Sequence, residues 1–189
     1  MHQSDPYTEL SLHDARERFL VLNNFPTDGG YSDRWFMVKI GAFMLPLYSF
    51  AWRKRAVRTH DIHHIITGFP LTPAGEIQIA TWELTAGISP HWIAAMVNLP
   101  TILLGLLFLP QRTFSAFLLG RHSTTLYRCE LSERLLKLSV RELRKKHLPN
   151  GVLKPTVKDY LVFAGMVSLA AVLASIPIVF VLILIHAIN

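Results

Sequence analysis

The sequence predicts an all-α protein: a helical bundle with membrane-associated apolar helices and a C-terminal transmembrane helix. Two observations lead to this prediction. No segment alternates polar and apolar residues for long enough to form a sheet. The run from Tyr160 to Asn189 contains no Asp, Glu, Lys or Arg. We therefore divide the chain into a helical domain (1–149), a basic linker (150–158) and a transmembrane helix (159–189).

The C-terminal run is longer than the roughly 20 apolar residues that a helix needs to cross the hydrocarbon core. Pro177 falls within it, and a proline is tolerated there as a kink. The segment from Arg112 to Lys158 is rich in Lys and Arg, which places it on the cytoplasmic or matrix side of the membrane.

The apolar segment 92–109 is also nearly long enough to cross a membrane. If it did, Arg53, Lys54 and Arg55 would lie on the opposite side from the basic segment before the C-terminal helix. We therefore expect 92–109 to be a buried bundle helix, or a monotopic one, rather than a span.

The remaining segments are predicted as helices from their caps and spacing. Ser11 caps a helix that runs to Leu22, and Ser32 caps one from Asp33 to Trp52. A third helix ends at Thr67 before Gly68, and a fourth begins at Thr72-Pro73. The segment Thr125–His147 has leucines at helical spacing and is predicted as one amphipathic helix.

Four side chains in the segment 60–76 have the chemistry of a metal site. On a helix His60, Asp61 and His64 fall within an arc of about 100°, since residues four apart lie about 40° apart. Glu76 falls in the first turn of the next helix, after a short loop. Imidazole and carboxylate ligands suit a divalent metal, zinc or iron best and manganese also.

The alternative is that these four residues are only a polar face. However, no Lys or Arg occurs between Thr59 and Pro110, so a metal ion would supply positive charge that nearby residues in the sequence do not. The net charge of +6 could also suggest nucleic acid, but the basic residues cluster beside the C-terminal helix, where they match anionic headgroups. No nucleic-acid partner is expected. Cys129, the one cysteine, is expected to be a small core residue.

The segment 60–76 reads HDIHHIITGFPLTPAGE. It resembles the signature of the Coq-four family of ubiquinone (coenzyme Q) biosynthesis: His-Asp-x-x-His, eleven residues, then Glu. A weaker similarity covers Thr125–Leu148, where a leucine-rich segment ends in Arg141-Glu142-Leu143-Arg144. Together the resemblance spans about 13–148. The chain departs from the family pattern in its C-terminal helix and in its apolar region 90–120.

The resemblance implies an all-helical, membrane-associated protein that binds zinc or another divalent metal through His60, Asp61, His64 and Glu76. His63 lies at a free position of the motif. The resemblance also implies a polyprenylated quinone precursor as the substrate and removal of its ring C1 carboxyl, as an oxidative decarboxylation. These four residues would then be catalytic, in a metal-dependent lyase. Other quinone-biosynthesis enzymes would be partners.

Two other functions remain open. The chain could be a non-catalytic lipid-binding scaffold that organises quinone-biosynthesis enzymes, because four protein ligands can close a structural metal site. It could also be a membrane desaturase or hydroxylase, since His60-x-x-His63-His64 fits one histidine box. That class needs several such boxes, whereas His91, His122, His147 and His186 are isolated in the sequence.

The expected location is a bacterial inner membrane with the metal site facing the cytoplasm. In a eukaryote it would be the matrix side of the mitochondrial inner membrane, although Asp5, Glu9 and Asp14 argue against a transit peptide. The sequence leaves open whether the lipid is a quinone precursor or another lipid, and whether the chain forms a homodimer.

Overall fold

The computed structural model of the chain describes residues 5–40, 43–89, 91, 95–96 and 98–188; for 36–40, 43, 45, 47 and 177–188 the description covers the backbone alone. The described chain is mostly helical, as predicted. Its elements, in chain order, are α1 (Leu12–Leu22), β1 (Trp35–Ile40), β2 (Phe43–Tyr48), α2 (Ala51–Thr67), α3 (Pro73–Ala86), α4 (Thr101–Phe108), α5 (Pro110–Arg121), α6 (Glu133–Leu136), α7 (Val140–His147) and α8 (Val157–Ile188).

The chain divides into two compact units. Unit 1 comprises 1–71 and 126–147, and unit 2 comprises 72–125 and 148–189. Unit 1 therefore contains α1, the strands, α2, α6 and α7, whereas unit 2 contains α3, α4, α5 and α8. The domain limits predicted from the sequence, 1–149, 150–158 and 159–189, stay a prediction.

In unit 1, α1, α2 and α7 share an apolar core of Ala15, Phe19, Leu20, Ile65 and Val140. Ser11 caps α1 as predicted, since its side chain accepts a hydrogen bond from the Asp14 amide. The chain on either side of Ser11 also pairs with the chain around Ser139 in an isolated β-bridge. The bridge thereby joins two segments that are far apart in the sequence, at the starts of α1 and α7, both of which contact α2.

The helix predicted from Asp33 to Trp52 is wrong over most of its length. Residues Trp35–Ile40 and Phe43–Tyr48 instead form an antiparallel hairpin, with Trp35 opposite Tyr48. Pro46 explains part of the difference, because a proline inside a helix removes a hydrogen bond and clashes with the preceding turn. The strands are rich in aromatic and branched side chains, which favour strand, but apart from Lys39 they are apolar and show no alternation.

The single helix predicted for Thr125–His147 is also wrong. The structure has two short helices, α6 and α7. The hydroxyl of Ser132 accepts from the Leu135 amide at the start of α6, and that of Ser139 accepts from the Glu142 amide at the start of α7. Each serine thus begins a new helix, a role in which its side chain is more favourable than in a helix interior. Cys129 is exposed, so the prediction that it is a small core residue is wrong.

In unit 2, the side chains of Ile79, Trp82, Ile102 and Phe117 are fully buried. Helix α8 packs against α4 in a second core cluster that includes Leu99, Ile102 and Ala170. Because its first turns are attached to this core, α8 begins as part of the folded unit.

Helix α8 is long and apolar enough to cross a membrane over Val157–Ile176, with a mean hydropathy of 1.9. Large apolar side chains along it are exposed, including Leu161 (69%) and Val172 (60%). A core helix of a soluble protein would bury such side chains. The predicted apolar C-terminal helix is therefore present, and its outer face suits a lipid environment.

The segment 92–109 lies partly outside the described residues, at 92–94 and 97. Its described part includes α4, which has eight residues and a length of about 12 Å. That length is less than half the thickness of the hydrocarbon core, so α4 by itself does not span a membrane.

Candidate metal centre

Helix α2 carries three of the four predicted ligands and ends where the sequence predicts. Gly68 has a left-handed backbone (φ 76°), and its amide donates to the His64 carbonyl over 2.9 Å. A residue with a side chain is strained in this conformation, which is why a glycine follows the last turn. The prediction of the end of the helix at Thr67 is confirmed.

The imidazoles of His60 and His64 meet on one face of α2. Their Nε2 atoms lie 3.2 Å apart, and the two rings are nearly perpendicular. His64 is 2% exposed and stacks against Phe19 of α1, whereas His60 is half-buried. As predicted from their spacing of four residues on a helix, these two nitrogens lie close together.

The Nδ1 atom of His64 lies 2.8 Å from the carbonyl oxygen of Phe69. A carbonyl can only accept a hydrogen bond, so Nδ1 must carry the proton, and Nε2 carries the lone pair in the neutral ring. A backbone carbonyl that accepts from the second nitrogen is one of the usual partners that orient a metal-binding histidine. His64 is therefore held in the tautomer that a metal ligand needs.

The distance between the two Nε2 atoms fits a metal. Two nitrogens that each lie 2.0–2.1 Å from a tetrahedral zinc ion are about 3.3 Å apart. The observed 3.2 Å lies close to that value. A hydrogen bond from one imidazole to the other would also give this distance, so the spacing fits a metal without requiring one.

Asp61 lies on the same helix and is buried. Its Oδ2 accepts a hydrogen bond of 2.5 Å from the hydroxyl of Tyr31, which is 6% exposed. Burial and the nearby Asp61 carboxylate raise the pKa of Tyr31, so the tyrosine remains a donor. A carboxylate has two oxygens, so this bond orients Asp61 without using its whole capacity as a ligand.

His63, which lies between Asp61 and His64 in the sequence and is not a predicted ligand, has a different role. It is fully buried, and its Nε2 accepts a hydrogen bond of 2.9 Å from the backbone amide of Leu126. Its ring also packs edge-on against Tyr127. Because its Nε2 accepts this hydrogen bond, His63 holds the segment that begins at Leu126 in place. The same nitrogen therefore does not serve as a metal ligand of a histidine box.

Glu76 belongs to unit 2 and lies exposed in the first turn of α3. The start of this helix is as predicted: the Thr72 side chain accepts from the Gly75 amide over 3.2 Å, and Pro73 occupies the first turn. Each of His60, His64 and Glu76 can offer one ligand atom to a metal ion. Imidazole and carboxylate are ligand types of zinc, iron and manganese sites, and the fourth predicted ligand, Asp61, is not a member of this group.

Arg144 stabilises the end of α2 and was not identified from the sequence as part of the site. Its guanidinium donates to the carbonyls of Ile65 and Ile66 over 2.8 and 2.9 Å. The last carbonyls of a helix lack partners within the helix, so a cation that binds them satisfies the backbone and the dipole together. Arg144 thus secures the turn that holds His64.

Arg144→Met should lower the free energy of unfolding by about 2 kcal/mol, because each lost hydrogen bond involves a charged donor. Lys145→Met is the matched control; Lys145 is exposed on the same helix, and its replacement should change stability by less than about 0.5 kcal/mol. Urea unfolding of the detergent-purified chain measures both. Equal effects would show that Arg144 acts only through its charge.

Comparison with protein-family models, with curated proteins and with solved structures finds no match to this chain. Its fold and the positions of the candidate ligands therefore rest on the sequence and the geometry described above.

Proposed function

We propose that this chain is a membrane-associated divalent-metal protein of ubiquinone biosynthesis that removes the ring C1 carboxyl of a polyprenylated aromatic precursor. Its metal, zinc in the first place and iron or manganese as alternatives, would be held by His60, Asp61, His64 and Glu76. The observation that carries the proposal is the pair of Nε2 atoms 3.2 Å apart, with His64 held in the ligand tautomer by the Phe69 carbonyl. The resemblance of segment 60–76 to the Coq-four signature supplies the substrate class.

The residues of the chain divide the work as follows. In this proposal His60 and His64 would supply nitrogen ligands, and Asp61, whose Oδ2 accepts a hydrogen bond from Tyr31, would supply a carboxylate oxygen. Glu76 would supply a second carboxylate from the start of the next helix. A metal bound there would act as a Lewis acid that stabilises negative charge on the ring as the carboxyl leaves. In that step the bond between C1 and the carboxyl carbon breaks, and carbon dioxide leaves. The electron pair of the broken bond stays on C1 of the ring, and a proton then binds to C1.

The apolar helix α8 supports the membrane part of the proposal. A polyprenyl tail partitions into the hydrocarbon core, so an enzyme acting on such a substrate needs a position at the membrane surface. Helix α8 offers exposed apolar side chains over a length that can cross the bilayer. The basic residues that precede it would lie on the cytoplasmic or matrix side.

The proposal is tested by turnover of a short-chain prenylated 4-hydroxybenzoate by the detergent-purified chain, with product and carbon dioxide measured by mass spectrometry. Glu76→Gln should lower kcat/KM by about 100-fold or more, since even the outer partners of metal ligands contribute 10–100-fold. Glu17→Gln, at an exposed position of α1, is the matched control and should leave turnover unchanged.

Metal binding without any turnover would contradict the enzymatic proposal and would favour the lipid-binding scaffold. Turnover that is equal in wild type and Glu76→Gln would contradict the role of Glu76. An assay in air and under argon separates simple from oxidative decarboxylation, because only the oxidative reaction requires dioxygen and adds oxygen to the ring.

A further inference from the structure

Helix α4 carries three large apolar side chains at the surface of unit 2. Leu104, Leu107 and Phe108 are 53%, 72% and 68% exposed. They lie three and four positions apart and therefore share one face of the helix, which we call the outer face of α4. No Asp, Glu, Lys or Arg occurs between Glu83 and Arg112. An apolar surface of this kind marks a site of interaction.

The opposite side of α4 packs against α8. Ile102 of α4 and Ala170 of α8 belong to one buried cluster, and the other α8 side chains packed against it extend from Phe163 to Leu173. At 1.5 Å per residue, these side chains lie about 6 to 21 Å along α8 from Asp159, the last Asp, Glu, Lys or Arg of the sequence. The hydrocarbon of one leaflet is about 15 Å thick. If α8 crosses the membrane, α4 therefore lies at the depth of the leaflet next to the basic linker.

Helix α5 crosses the first turn of α8. The Nε of Arg121 donates to Oδ1 of Asp159 over 3.2 Å, and the ring of Phe114 stacks on that of Tyr160 with centroids 5.0 Å apart. Arg121 and Phe114 are about 10 Å apart along the axis of α5, whereas Asp159 and Tyr160 are consecutive in α8. Helix α5 therefore runs across α8 rather than along it. Tyrosine and charged side chains at this level are typical of a membrane surface.

The turn between α4 and α5 satisfies its backbone groups within the protein. The amide of Leu109 donates to the Gly105 carbonyl over 2.7 Å, and Pro110 has no N–H to satisfy. The carbonyl of Leu109 accepts from both the amide and the hydroxyl of Thr113, each over 2.9 Å. Backbone groups in contact with hydrocarbon need partners inside the protein. This turn meets that requirement without water.

Two features favour lipid over a protein partner for the outer face of α4. The stretch of α8 that α4 packs against also carries the exposed side chains of Leu169 and Val172, so apolar surface continues from one helix to the other. In addition, Arg112 in the first turn of α5 and Lys158 in the first turn of α8 are exposed. Cations at this level of the unit complement the headgroups of anionic lipids.

We propose that α4 is embedded in the leaflet next to the basic linker, with Leu104, Leu107 and Phe108 in contact with acyl chains and α5 in the headgroup layer. The chain then holds the bilayer in two ways, by a helix that crosses it and by a helix that enters one leaflet only. This inference deepens the membrane part of the proposed function, on which it rests for the crossing of α8. It is independent of the metal and of the reaction.

The test is the accessibility of spin labels on the full chain, reconstituted in vesicles of phosphatidylcholine and phosphatidylglycerol. Cys129→Ser removes the one cysteine, and Leu107→Cys then carries a nitroxide on the outer face of α4. Electron paramagnetic resonance compares collisions of the label with dioxygen, which enters hydrocarbon, and with a polar nickel chelate, which does not. The ratio of the two collision rates reports contact with lipid.

Val152→Cys is the matched control, because Val152 is apolar and 94% exposed but lies in the basic linker. The ratio for Leu107→Cys should exceed that for Val152→Cys by about tenfold or more, since polar solutes are excluded from hydrocarbon. Val172→Cys, at a 60% exposed position of α8, is the reference for lipid contact. If the labelled Leu107→Cys fails to fold by circular dichroism, Leu104→Cys replaces it with the same expected result.

The three labels separate this inference from the proposed function. A high ratio for Val172→Cys with equal, low ratios for Leu107→Cys and Val152→Cys would overturn the inference and leave the crossing of α8 in place. A low ratio for Val172→Cys as well would contradict both. Spectral broadening between labels in Leu107→Cys, with few collisions with either reagent, would place a second copy of the chain on this face and would also overturn the inference. Lipid contact of Leu107→Cys in a chain that shows no decarboxylation would support the inference and contradict the proposed reaction.

Discussion

Replacing His64 by alanine should remove the metal from the chain and abolish decarboxylation. His64 supplies one of two nitrogens at tetrahedral spacing, and its ring is fixed by the Phe69 carbonyl and by Phe19. Loss of this preorganised nitrogen ligand leaves His60 as the one imidazole of the proposed site, which is insufficient for tight zinc binding. Mass spectrometry of the purified protein should give about one metal per chain in wild type and none above background in the variant.

His13→Ala is the matched control for this measurement. His13 lies with Asp14 and Glu17 in an exposed group on α1 that could also attract a metal ion. If the proposal is correct, His13→Ala keeps its metal. Because His64 is buried, its replacement also affects folding, so His60→Asn, at a half-buried position, provides a second variant with the same expected loss. A metal that persists in both His60→Asn and His64→Ala would refute the site.

Gly120→Ala should destabilise unit 2 by about 3 kcal/mol. A methyl group at this position of α5 would overlap the hydroxyl of Thr85 and lie 2.7 Å from the carbonyl oxygen of Trp82, both on α3. The carbonyl is part of a helix backbone and cannot move without shifting α3. The Trp82 side chain is fully buried, so little space is available for relaxation.

Gly165→Ala is the matched control for that substitution. Gly165 lies within α8, and a methyl group there would have no neighbour within 4 Å. This replacement should raise stability slightly, by about 0.5 kcal/mol, because alanine is the better helix former. Thermal or denaturant unfolding of both variants in the same detergent distinguishes them. Similar stabilities for the two would contradict the close packing of α3 on α5.

The parts of the site that could be predicted from sequence depend on local signals. The end of α2 at Gly68 and the start of α3 at Thr72 follow from caps within a few residues of the helix ends. The approach of His60 and His64 follows from the helical repeat alone. These features need no knowledge of distant contacts.

The features that were missed depend on distant contacts or on patterns that the sequence does not distinguish. Tyr31 reaches Asp61 from 30 positions away, and Arg144 reaches the end of α2 from 78 positions away. Arg144 had one signal, its place in the segment that resembles the Coq-four family, whereas Tyr31 had none. The sequence did not predict the hairpin at Trp35–Tyr48 because its strands, apart from Lys39, are apolar at successive positions, a pattern that periodicity cannot separate from a buried helix.

The most direct test of the metal site is X-ray absorption spectroscopy of the full chain purified in detergent with its own metal. The proposal predicts two imidazole nitrogens at about 2.0–2.1 Å with oxygen ligands completing the shell. His60→Asn should hold no metal above background and should therefore give no metal absorption edge. A spectrum with no imidazole in the first shell, or with a sulfur ligand, would contradict the assignment of the metal to His60 and His64.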